Sequence, residues 1–138
     1  MKRALPPVAK LIGFKIEKVK KGAVSCSMEV QKKHENTNGT LHGGILCDLS
    51  DAAMGYSFLT WLAPDETGVT VEFKINFLRP VRRGDHLLAS GKTLSKGRSL
   101  YYLECEIVNG QKQLVAKAAC TCKIISRVEQ VISRTKLR

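Results

Sequence analysis

One segment constrains the fold of this chain more than any other. From Gly43 to Leu62 there is no proline, and past the opening Gly43-Gly44 pair the only glycine is Gly55. Ile45, Leu46, Leu49, Ala52, Ala53, Tyr56 and Leu59 recur there at helical spacing. The segment predicts a helix about 30 Å long. It is apolar around much of its circumference, so it should be largely buried.

Elsewhere the period is mostly two. Phe14, Ile16 and Val19 alternate with charges as far as Lys20, and Lys21-Gly22 signals a turn. Val24, Cys26, Met28 and Val30 then share one face, which reads as a hairpin. After a turn at Pro64-Asp65-Glu66-Thr67-Gly68, Val69, Val71, Phe73, Ile75 and Phe77 face one way. Thr70, Glu72, Lys74 and Asn76 face the other. Further strands are expected over 86–94, 100–108 and 113–125. Arg83-Gly84-Asp85 and Lys96-Gly97 mark turns between them, and Asn109-Gly110 is a two-residue hairpin signal. Pro6-Pro7 starts a short N-terminal segment with Val8, Leu11 and Ile12 on one helical face. Short helix, two strands, long helix, four strands: that order predicts an α+β, two-layer fold in which a six-stranded antiparallel sheet buries one face against the helix. The other face must be polar or covered by another subunit. With 138 residues and no repeat or linker, one domain over 1–138 is expected, with a helical segment at 1–13 and a basic tail at 126–138.

Composition limits the partners. There are 23 Lys and Arg against 12 Asp and Glu, a net charge of +11. Lys2, Arg3, Lys10, Lys15, Lys18, Lys20 and Lys21 crowd the start, Arg79, Arg82 and Arg83 the middle, and Arg127, Arg134, Lys136 and Arg138 the end. Such an excess attracts anions: it suits a solvated surface, a nucleic acid or a phosphorylated small molecule. No zinc-finger spacing, aromatic RNA-binding signature or long basic helix supports the nucleic acid. Aromatics make up 6%, thin for a stacking platform. No apolar run approaches the ~18 residues of a membrane span. Met1 to Pro7 begins with charge but no apolar stretch follows, so no secretory signal is expected. Five cysteines (Cys26, Cys47, Cys105, Cys120, Cys122), most in apolar or alternating stretches, read as buried free thiols of a reducing cytoplasm.

Chemistry concentrates around the start of the long helix. Gly43 and Gly44 let a ligand approach the backbone. Their amides belong to the first turn, where no intrahelical acceptor exists, and the helix dipole is positive there. That end could hold a carbonyl that develops negative charge, or it could be only a flexible helix start. Asp48 and Asp51 lie on adjacent turns. A carboxylate in so apolar a helix needs a partner, a polar cavity or a raised pKa. One could be a general base or nucleophile; equally, either could face solvent or bond to backbone. His42, just before the glycines, suits a structural hydrogen bond as well as a site role. His34 and His86 offer no metal spacing with it. There is no Gly-x-Ser-x-Gly elbow, no cysteine nucleophile motif and no phosphate loop.

Together, Asn36, the run Gly39-Thr40-Leu41-His42-Gly43-Gly44 and Asp51-Ala52-Ala53-Met54-Gly55 resemble the hotdog-fold acyl-CoA thioesterases. Within that 4-hydroxybenzoyl-CoA thioesterase superfamily they are closest to the His-Gly-Gly clade typified by the phenylacetate-degradation thioesterase. The resemblance continues through Gly68-Val69-Thr70-Val71, Asn76-Phe77-Leu78-Arg79-Pro80 and Gly84-Asp85, and covers about residues 5 to 125. It implies a curved antiparallel sheet wrapped around the long helix, a cytoplasmic homodimer or dimer of dimers, and paired sites at the dimer interface. It implies hydrolysis of a thioester to free acid and CoA with no metal and no cofactor beyond the CoA of the substrate. Asp51 matches the catalytic carboxylate and Asn36 a residue orienting water or thioester. The Gly44 amide, with Gly43, matches the group polarising the carbonyl, and His42 a residue shaping the site. Thr70, supplied by the facing subunit, matches a hydroxyl that orients water. Lys96, Gly97 and Arg98 lie where relatives touch pantetheine and phosphates; Arg79, Arg82 and Arg83 are further candidates for the CoA phosphates. Tyr56, Phe58, Leu59 and Trp61 are candidates for the acyl pocket or for the core. The competing reading is a module of the same fold that binds acyl-CoA or lipid without turnover.

Overall fold

The long helix sits almost backbone to backbone on the sheet. In a computed structural model that describes residues 5–126, this helix (α2) spans Gly43–Leu59. The basic tail from Arg127, like Lys2 and Arg3, lies outside the described residues. A short helix (α1, Pro7–Ile12) precedes the hairpin of β1 (Lys15–Lys20) and β2 (Ala23–Glu29). After α2 come β3 (Glu66–Phe77), β4 (His86–Lys96), β5 (Leu100–Val108) and β6 (Leu114–Ser126). These form one antiparallel six-stranded sheet in the order β1-β2-β4-β5-β6-β3, curved around α2. None of the described helices is long and apolar enough to cross a membrane.

The contact between α2 and β4 fixes the helix. A Cβ added at Gly91 would stand 2.5 Å from the Ala53 carbonyl carbon and oxygen, so only glycine lets α2 settle that close. Ser57, one turn on from Ala53, ties the layers together. Its Oγ accepts from the Val24 N–H at 2.9 Å and shares its proton between the carbonyls of Ala53 at 2.7 Å and Gly91 at 3.0 Å. Around this point Leu46, Leu49, Met54 and Phe58 meet Cys26, Leu87, Leu103, Cys105 and Cys120 in the core. Phe58 packs edge-on against Tyr101, with ring centroids 5.1 Å apart.

Several local expectations shift. The helix ends before Leu62 because the Thr60 hydroxyl donates to the Ser57 carbonyl at 2.7 Å and accepts from the Gly22 N–H at 2.7 Å, with Pro64 following. In α1 the buried residues are Ala9 and Ile12, and Val8 and Leu11 are exposed. β3 starts at Glu66, inside the expected turn: Gly68 is there because Phe58 lies against it, 2.1 Å from where a Cβ would be. Asn109-Gly110 does not form the two-residue turn. The Asn109 side chain accepts from the amides of Gln111 and Gln113, both at 3.0 Å, and the left-handed residue is Lys112.

The largest departure is in β3. Its pairing with β6 slips between Thr70, opposite Cys122, and Glu72, opposite Thr121, leaving Val71 as the extra residue of a bulge. Beyond it Phe73 pairs with Cys120. Directly paired residues share a face, so Thr70 and Phe73 both point toward α2, where alternation had put them on opposite faces.

A test of the helix seat is Gly91→Ala. The methyl group meets helix backbone rather than a movable side chain, so a loss of ~2 kcal/mol or more is expected. Urea unfolding of the variant against the parent measures it.

Candidate active site

Seating α2 on β4 turns one stripe of the helix away from the sheet. Asp48 and Asp51 are exposed there, and Cys47, Ala52 and Gly55 are half-buried beside them. The bulge aims Thr70 at this stripe: its Oγ1 donates to Asp51 Oδ1 at 3.1 Å. Cys122 Sγ lies 3.8 Å from the same hydroxyl, and Cys120 Sγ 3.7 Å from Cys122. The hydroxyl that the resemblance drew from a facing subunit is therefore already bonded to Asp51 within one chain.

A cavity of about 330 Å³ opens beside the two carboxylates. Asp48, Asp51, Ala52, Gly55, Tyr56 and Leu59 form one wall; Pro6, Val8 and Phe14 of the N-terminal segment form the other. A smaller space of about 260 Å³ touches Cys47, Asp48, Asp51 and Phe73. Both acids meet water in the single chain, yet surrounding protein atoms desolvate them enough to matter. Partial burial raises the Asp51 pKa above its ordinary value, and the Thr70 hydrogen bond pulls in the opposite direction. Asp48 is raised by desolvation and then by the charge of Asp51. Of the expected pocket aromatics and aliphatics, Tyr56 and Leu59 line the cavity, whereas Phe58 belongs to the core. Trp61 closes the far end of α2, donating to Thr93 Oγ1 at 3.0 Å.

The glycine end of the helix is a separate place. Gly43 lies under the Phe77 ring, 2.9 Å from where a Cβ would stand, and borders a cavity of about 420 Å³ shared with Leu41, Leu46 and Arg79. The Gly44 N–H donates to His42 Nδ1 at 2.9 Å, so His42 caps the helix with the amide assigned to the substrate carbonyl. Nothing among the described residues accepts from the Gly43 amide. Gly44 and Asp51 lie two turns apart on one helix, about 10 Å along its axis. Neither of these two cavities reaches either glycine. Asn36 stands in the loop before α2, and its side chain organises the turn there. Its Oδ1 accepts from the amides of Asn38 at 2.8 Å and Thr40 at 3.2 Å, and its Nδ2 donates to Thr40 Oγ1 at 3.0 Å. The second Nδ2 hydrogen remains for another acceptor.

The basic candidates do not form one group. Arg79 borders the cavity at the N-terminal end of α2, with Arg82 three residues on; Arg83 is paired with Glu35 at 2.8 Å. Lys96 lies over the Trp61 ring at the opposite end, at 4.9 Å, with Lys21 also on that ring at 5.1 Å. Gly97 and Arg98 complete the turn there, Gly97 N–H donating to the Leu100 carbonyl at 2.9 Å. The two groups stand at opposite ends of a helix of 17 residues, about 25 Å. Sequence reading missed one anchor, His34. Its buried ring accepts from the Gln31 amide at 2.9 Å and therefore donates through Nε2 to the Ile12 carbonyl at 2.7 Å, tying the N-terminal segment to the loop before α2. A lone histidine in a polar loop gave no sign of this.

The family model of the thioesterase superfamily matches residues 38–116, a stretch that includes the helix, Asp51, Thr70 and the bulge. The chain belongs to the thioesterase superfamily. Among relatives of this superfamily member, human acyl-coenzyme A thioesterase 13 is 30% identical over 64% of this chain and 62% of its own length. Escherichia coli acyl-coenzyme A thioesterase PaaI is 32% identical over 78% of this chain and 75% of its own. The solved PaaI structure superimposes with a TM-score of 0.82 at 29% identity, covering 88% of this chain and 86% of that one. A Streptococcus mutans protein solved with acetyl CoA gives a TM-score of 0.76 at 31% identity, covering 82% and 89%.

The raised carboxyl has a consequence for stability. Because the folded state holds the Asp51 proton more tightly than the unfolded chain, ionisation costs the fold free energy as pH climbs from the ordinary carboxylate value to the raised one. Asp51→Asn should therefore melt at a higher temperature than the parent at pH 7. The gain should fade as pH falls below ~4. Thermal melts at both pH values measure the two differences.

Proposed function

We propose that this superfamily member is an acyl-CoA thioesterase whose water-activating base is Asp51. The observation that carries the reading is the Asp51–Thr70 pair. A carboxylate with a raised pKa, oriented by a hydroxyl, stands at the mouth of an apolar cavity large enough for an acyl group. The family match and the acetyl CoA found on a neighbouring structure support the same ligand class.

A base must come within about 3 Å of the water it deprotonates. The tip of the same helix, about 10 Å away, cannot also polarise the carbonyl being attacked. A second copy of the chain resolves this. If two α2 helices run antiparallel about a two-fold axis near Cys47 and Asp48, the Gly43-Gly44 tip of one stands opposite Asp51 of the other. The unpaired edge of the sheet supports such a dimer: β3 is twelve residues long and leaves Val69, Val71 and Phe77 about half exposed, at 43, 52 and 54%. Asn36, His42 and the glycine amides of one copy then face Asp51 and Thr70 of the other. Arg79 and Arg82 flank the carbonyl end, so they are nearer candidates for CoA phosphates than Lys96 and Arg98.

In the proposed reaction Asp51 takes a proton from water as the oxygen attacks the thioester carbon. Thr70 holds the carboxylate in position. The helix-tip amides stabilise the oxyanion, His42 giving up the Gly44 N–H to the substrate. Collapse of the tetrahedral intermediate breaks the C–S bond, and the proton on Asp51 passes to the leaving thiolate, giving free acid and CoA. No metal or further cofactor enters these steps. All five cysteines are free thiols, which supports a reducing cytoplasmic location.

Asp51→Asn should lower kcat for acyl-CoA hydrolysis by about 10²–10⁴-fold while the far-UV spectrum and CoA binding persist. Assay of released CoA with a thiol reagent measures this. Unchanged turnover in the folded variant would remove Asp51 as the base, and saturable binding without turnover in the parent would favour a binding module. Thr70→Val removes the hydrogen bond that pulls the Asp51 pKa down, so the acid limb of its kcat/KM profile should move to higher pH.

A further inference from the structure

We propose that Gly55 is the specificity-determining residue of the cavity beside Asp51, and that its missing side chain makes room for an acyl group of about six to eight carbons or a single aromatic ring. The inference rests on the acyl-CoA reading above and deepens it by naming the class of acyl group. The long helix carries one glycine that its own packing does not explain. Of eleven glycines, nine are explained by the fold: each has either a left-handed backbone or an atom within 3 Å of where a Cβ would stand. Gly110, in a turn, and Gly55 are the other two, and Gly55 alone of these lies within a helix or strand. Nothing lies within 4 Å of where its Cβ would be. Glycine inside a helix is less stable than alanine there, so the position carries a cost that neither backbone angle nor packing requires.

The space in front of Gly55 is the cavity itself. Gly55 follows Asp51 by one helical turn and lies on the same face, so a side chain there would enter the cavity next to the carboxylate. The opposing surface is apolar, from Pro6, Val8 and Phe14, and the near wall ends in Tyr56 and Leu59. At ~30 Å³ for a group the size of a water molecule, about 330 Å³ holds roughly ten such groups. The attacking water and thioester take part of that room, and the remainder fits a medium-length chain or one ring far better than the methyl of an acetyl group. His34 ties the N-terminal segment that carries this wall to the loop before α2 through the Ile12 carbonyl.

The experiment uses the full chain with Gly55→Ala, Gly55→Val and Gly55→Leu. Hydrolysis of acetyl-, hexanoyl- and phenylacetyl-CoA is measured, together with calorimetric binding of CoA and of S-hexyl-CoA, a thioether that cannot be hydrolysed. The ratio of kcat/KM for hexanoyl- over acetyl-CoA should fall stepwise with side-chain size, tenfold or more for leucine. The preference of the parent for S-hexyl-CoA over CoA should shrink in parallel. Gly55→Ala should also melt at a higher temperature than the parent. Ratios and binding preference within twofold of the parent in the folded alanine and valine variants overturn the inference, as does a change in oligomeric state without a change in these ratios, which would assign Gly55 to a subunit contact. If the parent hydrolyses no acyl-CoA yet its S-hexyl preference collapses in Gly55→Leu, the proposed activity fails and the assignment of Gly55 stands.

Discussion

The structure depends on how closely α2 approaches β4. Gly91 and Ala53 bring helix and sheet backbones almost into contact, and Ser57 bonds to both layers and to β2 across the same spot. A helix could otherwise roll on a smooth apolar sheet, because the hydrophobic effect has no direction. Hydrogen bonds and backbone contact do have direction, so they set the rotation of α2. With Ala53 and Ser57 turned inward, Asp48, Asp51 and Gly55 must emerge on the outer stripe. The chemistry of the outer face follows from a packing choice on the inner one.

A second local device completes the arrangement. Regular alternation through β3 would place Thr70 on the face opposite Phe73. One extra residue, Val71, reverses the phase, and both side chains then point toward the helix. The Thr70 hydroxyl meets Asp51 because of that bulge, which is the re-aiming of a side chain that bulges beside active sites commonly perform. The order α2, turn, β3 brings the two residues close, and the bulge supplies the final orientation.

Much of the fold was legible in the sequence because it rests on period. The 3.6-residue recurrence through Gly43–Leu59 and the two-residue alternation in β2, β4 and β5 each report a single buried face, and the element order follows. What period could not show was any feature made by one residue meeting a distant one. The bulge at Val71 is invisible to alternation. The glycines at 68 and 91 look like turn or breaker signals, yet each is a place where another part of the chain presses close. Asn109-Gly110 carries the composition of a tight turn, but the Asn109 side chain draws the next amides around itself and moves the left-handed residue to Lys112. At the site, Asp51 could be picked out as a carboxylate in an apolar helix. The separation of Asp51 from Gly44 was implicit in the helical rise; the second face of the sheet left room for another subunit, and the resemblance placed the site between copies. The split of the arginines and lysines between the two ends of α2 needed the tertiary fold.

Several features of the isolated chain run against stability, and they gather on one surface. Two acids share a half-desolvated stripe, a glycine interrupts the helix over empty space, and a long edge strand exposes apolar side chains. Distributed at random, such features would read as ordinary imperfections. They are adjacent instead: Asp48, Asp51 and Gly55 follow one another along the helix face, and β3 lies beside them with Thr70 reaching across. Natural chains tolerate local conflict mainly where function demands it. A second copy covering β3 would remove the exposed edge, and an acyl group beside Gly55 would fill the empty space. With the helix-tip amides of that copy facing the raised carboxylate, association would cover the edge and complete the site, and substrate would then fill what association leaves open.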